Sequence, residues 1–141
     1  MRNEAKPIQA GIAQWAANGV DADRIANAAA STWSDIDAAL SPIIGHRGVA
    51  ALYRRSLHLT RSDHACLAPV HEGELPPGDF GPLRAALSKQ TSVDAAAAHG
   101  ALLQVFCDLL TNLIGASLTE QLLRSVLDNL TGGNAAQDTT R

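Results

Sequence analysis

Between Ser92 and Ile114 the chain reads SVDAAAAHGALLQVFCDLLTNLI, the longest stretch that is both apolar and free of proline. Val93, Ala96, Ala97, Gly100, Leu103, Phe106, Leu110, Leu113 and Ile114 recur in it at three- and four-residue spacing, which gathers them on one side of a helix. Leu102, Val105 and Leu109 widen that surface and leave only Gln104, Asp108, Thr111 and Asn112 as a polar remainder, so more than one neighbour must cover the helix. Ser92 is the expected N-cap, with Asp94 in the first turn where a carboxylate suits the helix dipole, and Gly115 is the expected stop. At about 1.5 Å per residue such a helix is roughly 33 Å long, enough to run the length of a small domain. The Ala95–Ala98 run and Gly100 let another backbone approach closely, while Asp108 and the polar positions favour a buried bundle helix over a membrane span.

A chain of 141 residues with 46% hydrophobic content can bury a core without staples. Aromatics make up only 4% while alanine and leucine abound, which favours helices over β-sandwiches. The expected fold is all-α: a compact bundle of five or six helices with one long Pro/Gly-rich loop, forming a single domain over 1–130 and a disordered C-terminal tail over 131–141. A net charge of −3 implies no global attraction to nucleic acid or anionic membrane. Cys66 and Cys107 fall in a loop and in the core helix, and the Met1 start lacks an apolar signal region, so reduced thiols and a cytoplasmic location are expected.

Along the chain, residues 1–6 are expected to fray. Ile8, Ile12 and Trp15 mark a short helix from Pro7 that stops at Gly19. Asp21 caps a second helix with a stripe of Ile25, Ala28, Ala29, Thr32, Trp33, Ile36 and Leu40, expected to end near Ala39. Ser41-Pro42 then looks like a fresh start, with Gly45 and Gly48 interrupting before a longer helix to about Arg61. Pro69, Pro76, Pro77, Gly73, Gly78 and Gly81 make 62–81 the expected loop, and Pro82–Lys89 a short helix burying Leu83 and Leu87. Ser117 and Glu120 form a capping-box pattern for a last helix carrying Leu122, Leu123, Val126, Leu127 and Leu130.

Three constellations bear on chemistry. On the 46–61 helix, Arg47, Arg54 and Arg61 lie seven residues apart with His58 between the last two, opposite Val49, Leu52, Tyr53, Ser56 and Thr60. No acidic residue occurs between Asp37 and Asp63, and with Arg55 this stretch holds four of the eleven Lys and Arg residues. Arginine's planar fork suits phosphate or carboxylate, so this face is either an anion-binding surface or a solvated face balanced by acids elsewhere.

Within that face, His58-Leu59-Thr60-Arg61-Ser62 resembles the phosphoacceptor motif of histidine phosphotransfer domains. There an exposed helical histidine is followed three residues on by a lysine and four on by a small residue, usually glycine. The resemblance covers five residues and implies a helical bundle, a phosphoacceptor His58, an Arg61 that steadies the phosphorylated imidazole, and a response regulator as partner. Arg61 stands for the family's lysine and Ser62 for its glycine, and the helix is expected to end here rather than continue.

The third constellation is His64, Cys66 and His71, followed by Glu72 and Glu74. These are donor types that a transition metal accepts, at a spacing that matches no standard zinc module. His99, with no basic residue at the next turn, reads as a core or interhelix histidine. Phosphate-loop, dinucleotide-binding, zinc-helix and nucleophile-elbow patterns are all absent, which disfavours conventional nucleotide enzymes and hydrolases.

The expectation is therefore a non-catalytic interaction module of the kind used in bacterial signalling, gripping an acidic or phosphorylated protein partner through Arg47, Arg54, His58 and Arg61. Phosphotransfer on His58 is the alternative, and metal or small-molecule binding by loop 62–81 a third reading. No cofactor and no membrane association is expected, nucleic acid is disfavoured by the acidic remainder of the chain, and alanine-rich stripes on the first two helices suggest a homodimer.

Overall fold

In the computed structural model, which describes residues 5–74 and 76–131, the chain forms α1 (Ala5–Ala17), α2 (Ala22–Thr60), a 3-10 turn (Ala65–Leu67), α3 (Ala68–Glu72), α4 (Gly81–Ser88), α5 (Ser92–Ile114) and α6 (Ala116–Thr131). There is no strand among the described residues, and the six helices pack into the expected all-α bundle. The expected frayed start, up to residue 4, and the tail beyond Thr131 lie outside the described residues.

α5 is the rod against which α1, α2, α4 and α6 all pack. It buries Ala95, Ala96, Ala98, His99, Gly100, Leu102, Leu103, Phe106, Cys107 and Leu110. Val93 and Leu113, expected on its inner stripe, are 66% and 60% exposed because they stand at the two ends of the rod, beyond the cover of its neighbours. The cap is Thr91 rather than Ser92: its hydroxyl accepts the Asp94 N–H at 3.0 Å. Gly115 closes the helix at φ +96°, and α6 starts at once, with the Gly115 carbonyl accepting the Thr119 N–H at 3.1 Å. Ser117 consequently sits inside α6 instead of capping it. Leu123 and Val126 are buried; Leu127 and Leu130 are not among the side chains the structure describes.

α2 departs most from its sequence pattern. The helix runs through Ala39 and the Ser41-Pro42 pair without ending, and its one non-helical residue is Gly45, at φ 82° and ψ 157°. That conformation is essentially closed to residues with a Cβ, so the break falls on glycine rather than on the proline three residues earlier. The chain doubles back there. Trp33 and Tyr53 are twenty residues apart, which a straight helix would spread over about 30 Å, yet their ring centroids lie 4.9 Å apart. α2 is thus a hairpin of two arms, with Asp37 on the first meeting His46 Nδ1 on the second at 3.1 Å.

The arms close on an aromatic centre. Phe106 of α5 meets Trp33 edge-on at 4.8 Å, and Phe80, entering from the chain before α4, meets Tyr53 edge-on at 5.1 Å. Such edge-to-face pairs add about 0.5–1.5 kcal/mol each to the burial of the rings. Ile25, Ala26, Ala29, Ile36 and Leu40 extend this core along the first arm, so the alanine stripe of α2 is covered within the chain itself.

The 62–81 segment is partly wound. Residues 65–67 make the 3-10 turn and Pro69, expected only to obstruct regular structure, occupies the first turn of α3, where its missing N–H costs nothing. Leu67 and Val70 are buried and tie this short helix to the second arm of α2.

Candidate functional site

The second arm of α2 has two faces. Val49, Tyr53, Ser56, Leu57 and Thr60 turn inward; Ser56 donates to the Leu52 carbonyl at 2.8 Å and Thr60 to the Ser56 carbonyl at 2.8 Å, while the Tyr53 hydroxyl is buried without a partner. Arg54 and His58 point outward, and Arg61 is half-buried at the end of the arm. α3 then lays His71 against this face, with the His58 and His71 ring centroids 5.4 Å apart. An Arg54 Nη1 donates to the His71 carbonyl at 3.4 Å, and Arg61 Nη2 donates to His58 Nδ1 at 3.2 Å. Four groups that are cationic, or become so on protonation, thus converge from two elements.

The electrostatics of the cluster are those of like charges crowded together. Loss of solvent around the ring, followed by the charges of Arg61, His58 and Arg54, holds the His71 pKa below the ordinary imidazole value, with Glu72 opposing. Arg61 Nε and His71 Nδ1 are buried without a hydrogen-bond partner. Among the described residues the only ion pair is His46–Asp37, so no described carboxylate sits within 4 Å of Arg47, Arg54, Arg55 or Arg61. Arg47 is exposed but stands apart, about 10 Å up the helix from Arg54 at 1.5 Å per residue.

His64, Cys66 and His71 do not form a donor set; among the described residues no three His, Cys, Asp or Glu side chains are placed to hold a metal ion. His71 is drawn toward His58 because α3 packs on the second arm. Cys66 instead lines a cleft of about 280 Å³ with Pro69, Val70, Pro82, Ala86 and Lys89. Burial pushes its thiol pKa up, a backbone hydrogen bond opposes, and Asp94 adds to the rise, the reverse of the lowering that activates a thiol. Burial pushes the Cys107 thiol up to about 12.

His99 belongs to the core, as its sequence context implied. It is fully buried at the α1–α5 contact, 6.1 Å from the Trp15 ring, and neither ring nitrogen has a partner. Burial alone pushes its pKa down to about 3, so it is neutral across the physiological range. A Cβ on the adjacent Gly100 would come within 3.4 Å of the Gln9 Cα, which marks how closely the α1 backbone approaches here.

Sequence spacing groups His71 with His64 and Cys66 and does not reveal its place in the basic cluster. The available signal was Pro69: a proline that opens a helix would have placed His71 on a rigid element beside the second arm. The chain matches no protein-family model, no curated protein and no solved structure.

Proposed function

We propose that this protein is a non-catalytic interaction module of the kind used in bacterial signalling, and that it grips an acidic or phosphorylated protein partner through Arg54, His58, Arg61 and His71. The observation that supports this reading is the gathering of four such groups on one face with no described carboxylate within 4 Å of the arginines. A structural role would call for paired charges, because an unpaired cationic cluster repels itself and adds nothing to the stability of the fold. Arginine and imidazole N–H groups offer the donors that carboxylate and phosphate oxygens accept. Arg47, farther up the same helix, extends the surface toward a longer partner.

The test is binding of defined acidic and phosphoserine-containing peptides, measured by fluorescence anisotropy at two salt concentrations. The double variant Arg54→Glu/Arg61→Glu, its fold checked by circular dichroism because Arg61 is half-buried, is expected to lose binding. Equal binding by wild type and variant removes the reading. Preferential capture of a single-stranded oligonucleotide at physiological salt would also remove it in favour of nucleic acid.

A second reading, phosphotransfer on His58, is favoured by one contact: Arg61, three residues on, reaches the His58 ring as the resemblance to histidine phosphotransfer domains implies. Acid-labile label acquired from phosphorylated response regulators by wild type and not by His58→Gln is the expected result; its absence discards this alternative.

A further inference from the structure

Resting on the anion-binding reading above, we infer that the cluster is a seat for a single tetrahedral dianion, a phosphomonoester carried by the partner protein, and that it takes up a proton from solvent as the dianion binds.

Geometry supports both parts. Arg54 and Arg61 are seven residues apart on one helix, two turns, with His58 between them, while His71 of α3 lies against His58, the ring centroids 5.4 Å apart. Together α2 and α3 present more N–H donors than the two oxygens of a carboxylate can take, which suits the three terminal oxygens of a phosphomonoester. Arg54 donates to the His71 carbonyl at the long distance of 3.4 Å and Arg61 to the His58 Nδ1 at 3.2 Å, so neither guanidinium is committed to a carboxylate. Arg61 Nε and His71 Nδ1 are buried without a hydrogen-bond partner.

The proton linkage follows from who faces whom. The charged or titratable groups around His71 are Arg61, His58 and Arg54 on α2 and Glu72 on its own helix. Three of the four are basic, so protonation of His71 meets repulsion. A dianion reverses that balance. Protonation of His71 supplies another charged donor. The proton comes from solvent and stays on the ring, and no covalent bond is made or broken.

Sulfate serves as the probe for the linkage, because it remains a dianion at all pH values used, whereas phosphate itself titrates. Its binding to the intact chain is measured by isothermal titration calorimetry between pH 7.5 and 5.5, with circular dichroism confirming the fold at each pH. Affinity is expected to rise as pH falls, approaching tenfold per unit for the proton taken up, and His71→Gln is expected to flatten the slope while retaining some binding. A slope unchanged in His71→Gln, or no pH dependence in wild type, overturns the inference. In a second arm, a phosphoserine peptide is compared at pH 7.5 with the same peptide bearing glutamate and with free inorganic phosphate. Tighter binding of the phosphopeptide than of either supports a protein-borne phosphomonoester. Equal binding of the glutamate peptide, lost on Arg54→Glu/Arg61→Glu, overturns this inference and leaves the broader reading intact; no binding of any probe overturns both.

Discussion

The burial of His99 leads to a quantitative expectation about acid. In the unfolded chain this histidine titrates near its ordinary value of 6.5, and in the fold its pKa is pushed down to about 3. The folded state therefore binds fewer protons than the unfolded state at any pH between those values, and stability falls as pH drops through 6.5 and keeps falling toward 3. At pH 5 the unfolded histidine is almost fully protonated and the folded one almost fully neutral. The free energy lost relative to pH 8 is then about 1.36 kcal/mol for each of roughly 1.5 pH units, or about 2 kcal/mol. That figure requires only that the folded pKa lie well below 5. The control is His99→Leu, similar in volume and unable to titrate, which also removes two buried nitrogens that have no partner. Leaving a buried polar group unsatisfied costs about 1–3 kcal/mol, so the variant is expected to be at least as stable as wild type at pH 8. The assay is urea unfolding of both proteins at pH 8 and pH 5, followed by tryptophan fluorescence. His71 and the other titrating groups contribute equally to both proteins and cancel in the double difference. Wild type should lose about 2 kcal/mol more than His99→Leu on going from pH 8 to pH 5. Parallel losses in the two proteins would refute the reasoning, because they would mean that His99 reaches water or a partner in the fold.

Three further outcomes follow from the packing. Gly45→Ala should destabilise the fold by about 1–3 kcal/mol in urea unfolding, since nothing lies near the added Cβ and the entire cost is backbone strain at φ +82°. Thr91→Ala should lower stability by about 1 kcal/mol and Ser92→Ala by only a few tenths, which distinguishes the true cap of α5 from its neighbour by thermal melts. Phe106→Ala should cost about 3–5 kcal/mol and weaken the near-ultraviolet dichroism of Trp33, whose ring it meets edge-on.

The parts of the structure most legible in the sequence are those set by a single helix. Leu103, Phe106 and Leu110 announce the inner face of α5, and Ile25, Ala29, Thr32, Trp33, Ile36 and Leu40 that of the first arm of α2, because periodicity is a property of one element alone. Asp21 was legible as a cap for the same reason; it accepts the Arg24 N–H at 2.9 Å. What the sequence hid is relational. Pro42 looked like a beginning since proline lacks an N–H, yet one missing hydrogen bond near the end of an arm is a smaller disturbance than the turn that only Gly45 can make. Val93 and Leu113 carry the right periodicity and lack a neighbour to cover them. At the site, Arg54, His58 and Arg61 share one helical face by spacing alone, whereas His71 joins them through the packing of Leu67 and Val70, which no local pattern reveals.

The doubling back of α2 at Gly45 also bears on the order of assembly. Half of the aromatic centre, Trp33 with Tyr53, is encoded within twenty residues of chain, whereas Phe106 lies seventy-three residues from Trp33. Loop-closure entropy scales as about (3/2)RT ln n, so the shorter closure is favoured by about 1 kcal/mol. The two arms can accordingly form a nucleus early, by nearby encounter, and offer α5 a prepared aromatic slot on which to condense. The basic cluster, carried on the outer side of the second arm, is then built on ground laid at the start of folding.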